Sequence, residues 1–176
     1  MKKLLGLLSL IGLLAATLAA CGGAKDYNNA DVAFAQQMIP HHEQAVEMAD
    51  AALKTSKTAE VRSLATQIKT GQDPEIKTMT KWLEDWDARM DHGDTEGMDH
   101  SEGMMSDAEM KSLTSTTGDE FDTTWLTLMV KHHEGAVSMA KTEQSDGKST
   151  EAKKLAGQII DAQNNEIVTM KGLLGS

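Results

Sequence analysis

Met38-Ile39-Pro40-His41-His42-Glu43-Gln44-Ala45-Val46-Glu47-Met48-Ala49 returns 91 residues later as Met129-Val130-Lys131-His132-His133-Glu134-Gly135-Ala136-Val137-Ser138-Met139-Ala140. The same offset aligns Leu64-Ala65 and Gln67-Ile68 with Leu155-Ala156 and Gln158-Ile159. It then aligns Gln72 with Gln163, Glu75-Ile76 with Glu166-Ile167, Met79 with Met170 and Leu83 with Leu174. So many identities at one ungapped spacing mark an internal repeat.

Each copy predicts two helices. Phe34, Met38, Ala45, Ala49 and Ala52 recur at the three-, four- and seven-residue steps of one helix face. Polar residues 54–57 interrupt the pattern, and a second stripe follows through Val61, Leu64, Ile68, Gln72, Glu75, Met79, Leu83 and Trp86. Pro40 and Pro74 fall inside these stripes, so a kink or local break is expected at each. Asp73-Pro74 could restart a helix, with Asp as cap and Pro at the first helical position. The second copy predicts helices over about 121–141 and 150–174. Four helices with one apolar stripe each bury those stripes most economically as an all-α four-helix bundle. The expected organisation is two repeated helical hairpins, residues 30–90 and 119–176, joined by a Met/His-rich linker over 91–118. Within it, residues 91–107 hold almost no aliphatic side chain and predict a flexible loop.

The N-terminus carries an export signal. Lys2 and Lys3 precede an apolar run over 4–18 that ends in Leu18-Ala19-Ala20-Cys21. A basic start, a short apolar core and small residues before the cleavage point describe a secretory signal peptide. The run is shorter than the roughly 20 apolar residues a membrane span needs. Leu-Ala-Ala-Cys resembles the lipobox of bacterial lipoproteins, which makes Cys21 the expected lipidation site and residues 21–29 a tether. An ordinary cleaved signal ending before Cys is the alternative. The expected location is outside the cytoplasm, anchored to an envelope membrane by lipid alone. Removing residues 1–20 takes the net charge from −10 to −12, which argues against nucleic acid as a partner. Cys21 is the one cysteine, so once it is lipidated no thiol remains for a disulfide or a thiolate metal site. Soft-metal chemistry would then fall to methionine, of which there are twelve against six aromatic residues.

The histidines and methionines fall into two sets. One lies in or beside the linker: Met90, His92, Met98, His100, Met104, Met105 and Met110. Met90-Asp91-His92 and Met98-Asp99-His100 are the same tripeptide, and Glu-Gly-Met occurs twice, ending at Met98 and Met104. Thioether sulfur is soft and imidazole borderline, a set suited to copper as Cu(I), or to Ag(I), and poorly to calcium or magnesium. The interspersed acids leave room for Cu(II) at His92 and His100. A polar linker with incidental methionines is the bland alternative, though linkers rarely hold five methionines in 21 residues.

The other set repeats: Met38, His41, His42 and Met48, then Met129, His132, His133 and Met139. Glu75 and Glu166 lie on the apolar stripes of the second helices, where a carboxylate is costly unless paired or bound to metal. Two readings follow. In one, Glu75 and Glu166 accept hydrogen bonds from the histidines in a buried network. In the other, His, Met and Glu from two helices enclose a metal. Met79 and Met170 read as core packing.

The paired motifs, with Phe121-Asp122, Gln72, Glu75-Ile76, Met79 and Trp82-Leu83, resemble a bacterial family of exported ferritin-like proteins catalogued as domain of unknown function 305. The resemblance covers about residues 30–174 and implies a ferritin-like four-helix bundle. Some members bind copper, protecting cells or passing it on, so metal ligands are implied at both His-His motifs. Lys131 in place of the Pro40 equivalent means the two hairpins need not bind alike. The expected function is a surface-anchored copper-binding lipoprotein that sequesters or relays Cu(I), with a copper-transfer protein as partner. The alternatives are a metal-free structural or interaction bundle and a ferritin-like metal oxidase. Di-iron bundles use about four inward carboxylates and Glu-x-x-His spacing; only Glu75 and Glu166 qualify here, so no enzyme is expected.

Overall fold

The structure, a computed structural model, describes residues 25–88 and 102–175. Cys21, the signal segment, Met90, His92, Met98 and His100 lie outside the described residues. The described chain is all-α: α1 (Asn29–Thr55), α2 (Ala59–Asp85), α3 (Asp107–Ser115), α4 (Gly118–Asp146) and α5 (Thr150–Leu174). Among the described residues no helix is long and apolar enough to cross a membrane.

Local chemistry sets the helix ends. Asn28 caps α1 by accepting from the Ala30 and Asp31 amides, and Asp31 returns a bond to the Asn28 amide, satisfying donors that the first turn leaves open. Asp31 also accepts from the Lys148 and Ser149 amides, tying the α4–α5 turn to the start of α1. Ser149 in turn caps α5 at the Ala152 amide. Both α1 and α2 run unbroken through Pro40 and Pro74, so neither break nor restart occurs. Proline removes one ladder bond, but buried residues on both sides of it, Met38 and Ile39 against His41 and His42, hold α1 in line.

Two differences from expectation concern the linker. Residues 107–115 are helical, and Met105 is buried with Leu113 in the core rather than carried on a free loop. A capping box starts α3: Glu109 accepts from the Ser106 amide and Ser106 Oγ accepts from the Glu109 amide.

α1 packs on α2, α4 on α5, and α1 on α4. The core divides into two clusters. One joins Ala45, Met48, Ala49 and Ala52 of α1 to Leu64 and Ile68 of α2, Phe121, Trp125 and Met129 of α4, and Met170 of α5. The other joins Phe34, Ala35 and Met38 of α1 to Met79 and Leu83 of α2, Ala136 and Ala140 of α4, and Ala156 and Ile159 of α5. Each cluster pairs the first half of one long helix with the second half of its repeat counterpart, so α1 and α4 run antiparallel. The two His-His pairs fall midway, between the clusters.

Candidate metal site at the paired histidines

All four motif histidines are fully buried, a rare position for so polar a ring. The helical register splits each adjacent pair. His42 turns toward α2, where its Nε2 lies 2.7 Å from Glu75 Oε2; His133 turns toward α5, with its Nε2 2.7 Å from Glu166 Oε2. Glu75 and Glu166 are only partly buried, so each keeps some water while fixing a ring. For these outer histidines the hydrogen-bonded reading of the sequence describes the geometry.

His41 and His132 instead face each other across the α1–α4 contact, ring centroids 3.7 Å apart and planes inclined by 37°. None of the four ring nitrogens makes a well-formed hydrogen bond among the described residues, although the Glu102 backbone lies near His41 and the His41 backbone near His132. Buried polar atoms are rarely left so, and each orphan calls for a ligand, a water or an ion. Burial lowers the His41 pKa to about 3, with His42 and His133 adding repulsion, while the Glu102 backbone favours the charged form less strongly than burial opposes it. His132 is likewise pushed well below its ordinary value, first by burial and then by His41, His133 and His42. Both rings are therefore neutral at pH 7, the form in which imidazole ligates metals. Gln72 and Gln163 are also buried and carry amide atoms without partners.

Met38 and Met129 are fully buried one turn before the inner histidines, a spacing that shares a helix face. Met48 is fully buried and Met139 half-buried. Of the remaining described candidates, Met105 packs in a core cluster, and half-buried Met110 packs against that same cluster from α3. Met104 is half-buried in the segment leading to α3. Among the described residues no group of three or more His, Cys, Asp or Glu could hold a metal ion.

Sequence reasoning passed over Gln44, Gly103 and Gly135, which hold residues 102–105 against α1 and α4. The signal was present in the repeat, where Gln44 and Gly135 occupy the same position with unlike side chains.

A search of curated proteins returns no match. Among solved structures, a Streptomyces coelicolor DUF305 protein named as secreted is similar, with 36% identity, a TM-score of 0.77, and 83% of this chain and 92% of that chain covered. A DUF305 fragment from Deinococcus radiodurans shows 33% identity and a TM-score of 0.76, covering 84% of this chain and 97% of that one. CopM in its Cu(I)-bound form shows 31% identity and a TM-score of 0.69, covering 81% of this chain and 94% of CopM. CopM is also known in Cu(II)-bound, Ag-bound and apo forms. The DUF305 profile, a domain of unknown function, matches residues 31–174, and the chain belongs to that family.

Proposed function

We propose that this chain is an exported, lipid-anchored copper-binding protein on a ferritin-like four-helix bundle, and that it sequesters or relays Cu(I), with Ag(I) as an equivalent ion. The observation that carries the reading is the His41–His132 contact, whose four ring nitrogens are buried, neutral and without a well-formed hydrogen bond. Met38 and Met129 supply thioethers on the same helix faces. Such a set is uncharged, and a monovalent ion brings less uncompensated charge into the interior than a divalent one. Glu75 and Glu166 are already engaged with the outer histidines, which argues for Cu(I) over Cu(II) at this place. Similarity to CopM, solved with Cu(I) and silver, supports the same choice of ion. The net charge of −10 favours cations over nucleic acid, and Cys21 would supply the sole membrane contact through lipid. Met90, His92, Met98 and His100, with Met104, would capture ions exchanged with a copper-transfer partner. The role is binding rather than catalysis.

The test is silver titration followed by native mass spectrometry, comparing the parent with His41→Leu/His132→Leu. The parent is expected to retain at least one more ion than the variant; equal uptake would overturn the assignment to this pair. A metal-free bundle is the second reading, favoured by the His42–Glu75 and His133–Glu166 bonds, and it predicts no retained ion in either protein.

A further inference from the structure

Residues 102–105 lie against both α1 and α4, beside the inner histidines, and three features keep them there. Gln44, one turn after His41, takes both backbone groups of Met105: its Nε2 donates to the Met105 carbonyl at 2.8 Å, and its Oε1 accepts from the Met105 amide at 2.7 Å. Gly135, one turn after His132, gives the backbone room, since a Cβ there would sit 1.8 Å from the Glu102 carbonyl oxygen. Gly103 has φ +86°, a conformation that favours glycine, and a Cβ on it would lie 2.8 Å from the Lys131 carbonyl oxygen and 3.0 Å from that of His132.

Gln44 and Gly135 are the same position of the two repeats. One copy carries a side chain that clamps a passing backbone, and the other lacks the side chain that would block it. The repeat has diverged where the segment passes, one turn beyond each inner histidine. The Glu102 backbone is close enough to bias the protonation of His41, and buried Met105 anchors the far end.

We propose that residues 102–105 are a strap closed over the His41–His132 pair, and that Gln44, Gly103 and Gly135 set how readily the two imidazoles meet solvent. That a metal ion is what enters rests on the function proposed above; the cover itself belongs to the metal-free protein. The strap is local and short, so its opening need not unfold the helices beneath it.

The experiment is carbethoxylation of histidines in the metal-free full-length protein at neutral pH, resolved site by site by mass spectrometry. Gln44→Ala removes both clamp bonds, and Gly135→Ala displaces the strap sterically. Leu83→Ala, in the core cluster that contains no strap residue, controls for general loss of stability. Gln44→Ala is expected to raise the modification rate of His41 and His132 by about tenfold or more, as loss of two backbone-anchoring hydrogen bonds implies, and Gly135→Ala to raise it through the steric displacement. Unchanged rates, or a rise no larger than in Leu83→Ala at matched stability, would overturn the proposal. Because no metal is used, failure of copper binding would leave this result standing, and the reverse holds too.

Discussion

Acid should destabilise the metal-free protein through its two inner histidines. In the unfolded chain each titrates near its ordinary value of 6.5, whereas burial holds His41 near 3 and His132 well below 6.5. Below pH 6.5 the unfolded state binds protons that the native state refuses, so stability is full above that pH and lost as pH falls toward the folded pKa. One pH unit corresponds to about 1.4 kcal/mol per group, so at pH 5 His41 alone costs about 2 kcal/mol, and His132, shifted in the same direction, adds to it. That is a large share of the roughly 5–15 kcal/mol by which domains are stable. Urea unfolding followed by circular dichroism at pH 7.5, 6 and 5 reads the effect. Other groups titrate in this window, so the comparison is with His41→Leu/His132→Leu, which removes both rings and leaves apolar side chains at buried positions. The parent should lose more stability than the variant between pH 7.5 and pH 5, by at least the roughly 2 kcal/mol that His41 contributes. Equal losses would show that the inner rings accept protons in the folded state, and the electrostatic account of the site would fail.

Two further expectations lie outside the site. Burial, reinforced by the neighbouring Asp31 carboxylate, holds the Glu143 pKa at about 8, so the native state keeps a proton that the unfolded chain releases near 4.5. Stability therefore falls as pH rises from 4.5 toward 8, and Glu143→Gln should gain about 2–4 kcal/mol on the parent between pH 5 and pH 8 in urea titrations; a constant difference would refute this. Trp125, fully buried, donates from Nε1 to the Met48 carbonyl at 2.8 Å and so bonds α4 to α1. Trp125→Phe should cost about 1–3 kcal/mol in the same assay, and an unchanged midpoint would mean that bond contributes nothing net.

Periodicity and the repeat were enough to anticipate four long helices, because each stripe had one face to bury. The bond from His42 to Glu75 was legible for the same reason: a carboxylate on an apolar stripe needs a partner, and the histidines were the nearest polar groups. The division of labour between adjacent histidines was not legible. His41 and His42 differ by one helical step, and which of them meets the other repeat depends on where α1 crosses α4, a property of two helices together. α3 was overlooked although Ser106 and Glu109 have capping-box spacing and Leu113 follows; the methionines nearby drew the reading toward ligands, while Met105 fills core volume. Pro40 and Pro74 signalled interruption, but one missing ladder bond is outweighed by the packing on either side.

Binding of Cu(I) by this chain is read out by a competition titration against a Cu(I) chelator. Three proteins are compared: the parent, His41→Leu/His132→Leu, and a linker variant with Met90, Met98, Met104, Met105 and Met110 changed to Leu and His92 and His100 changed to Ala. The parent should compete, the linker variant should keep a tight site, and the histidine variant should lose it. Failure of the parent to take Cu(I) from the chelator would rule out a copper-binding role and leave a metal-free bundle.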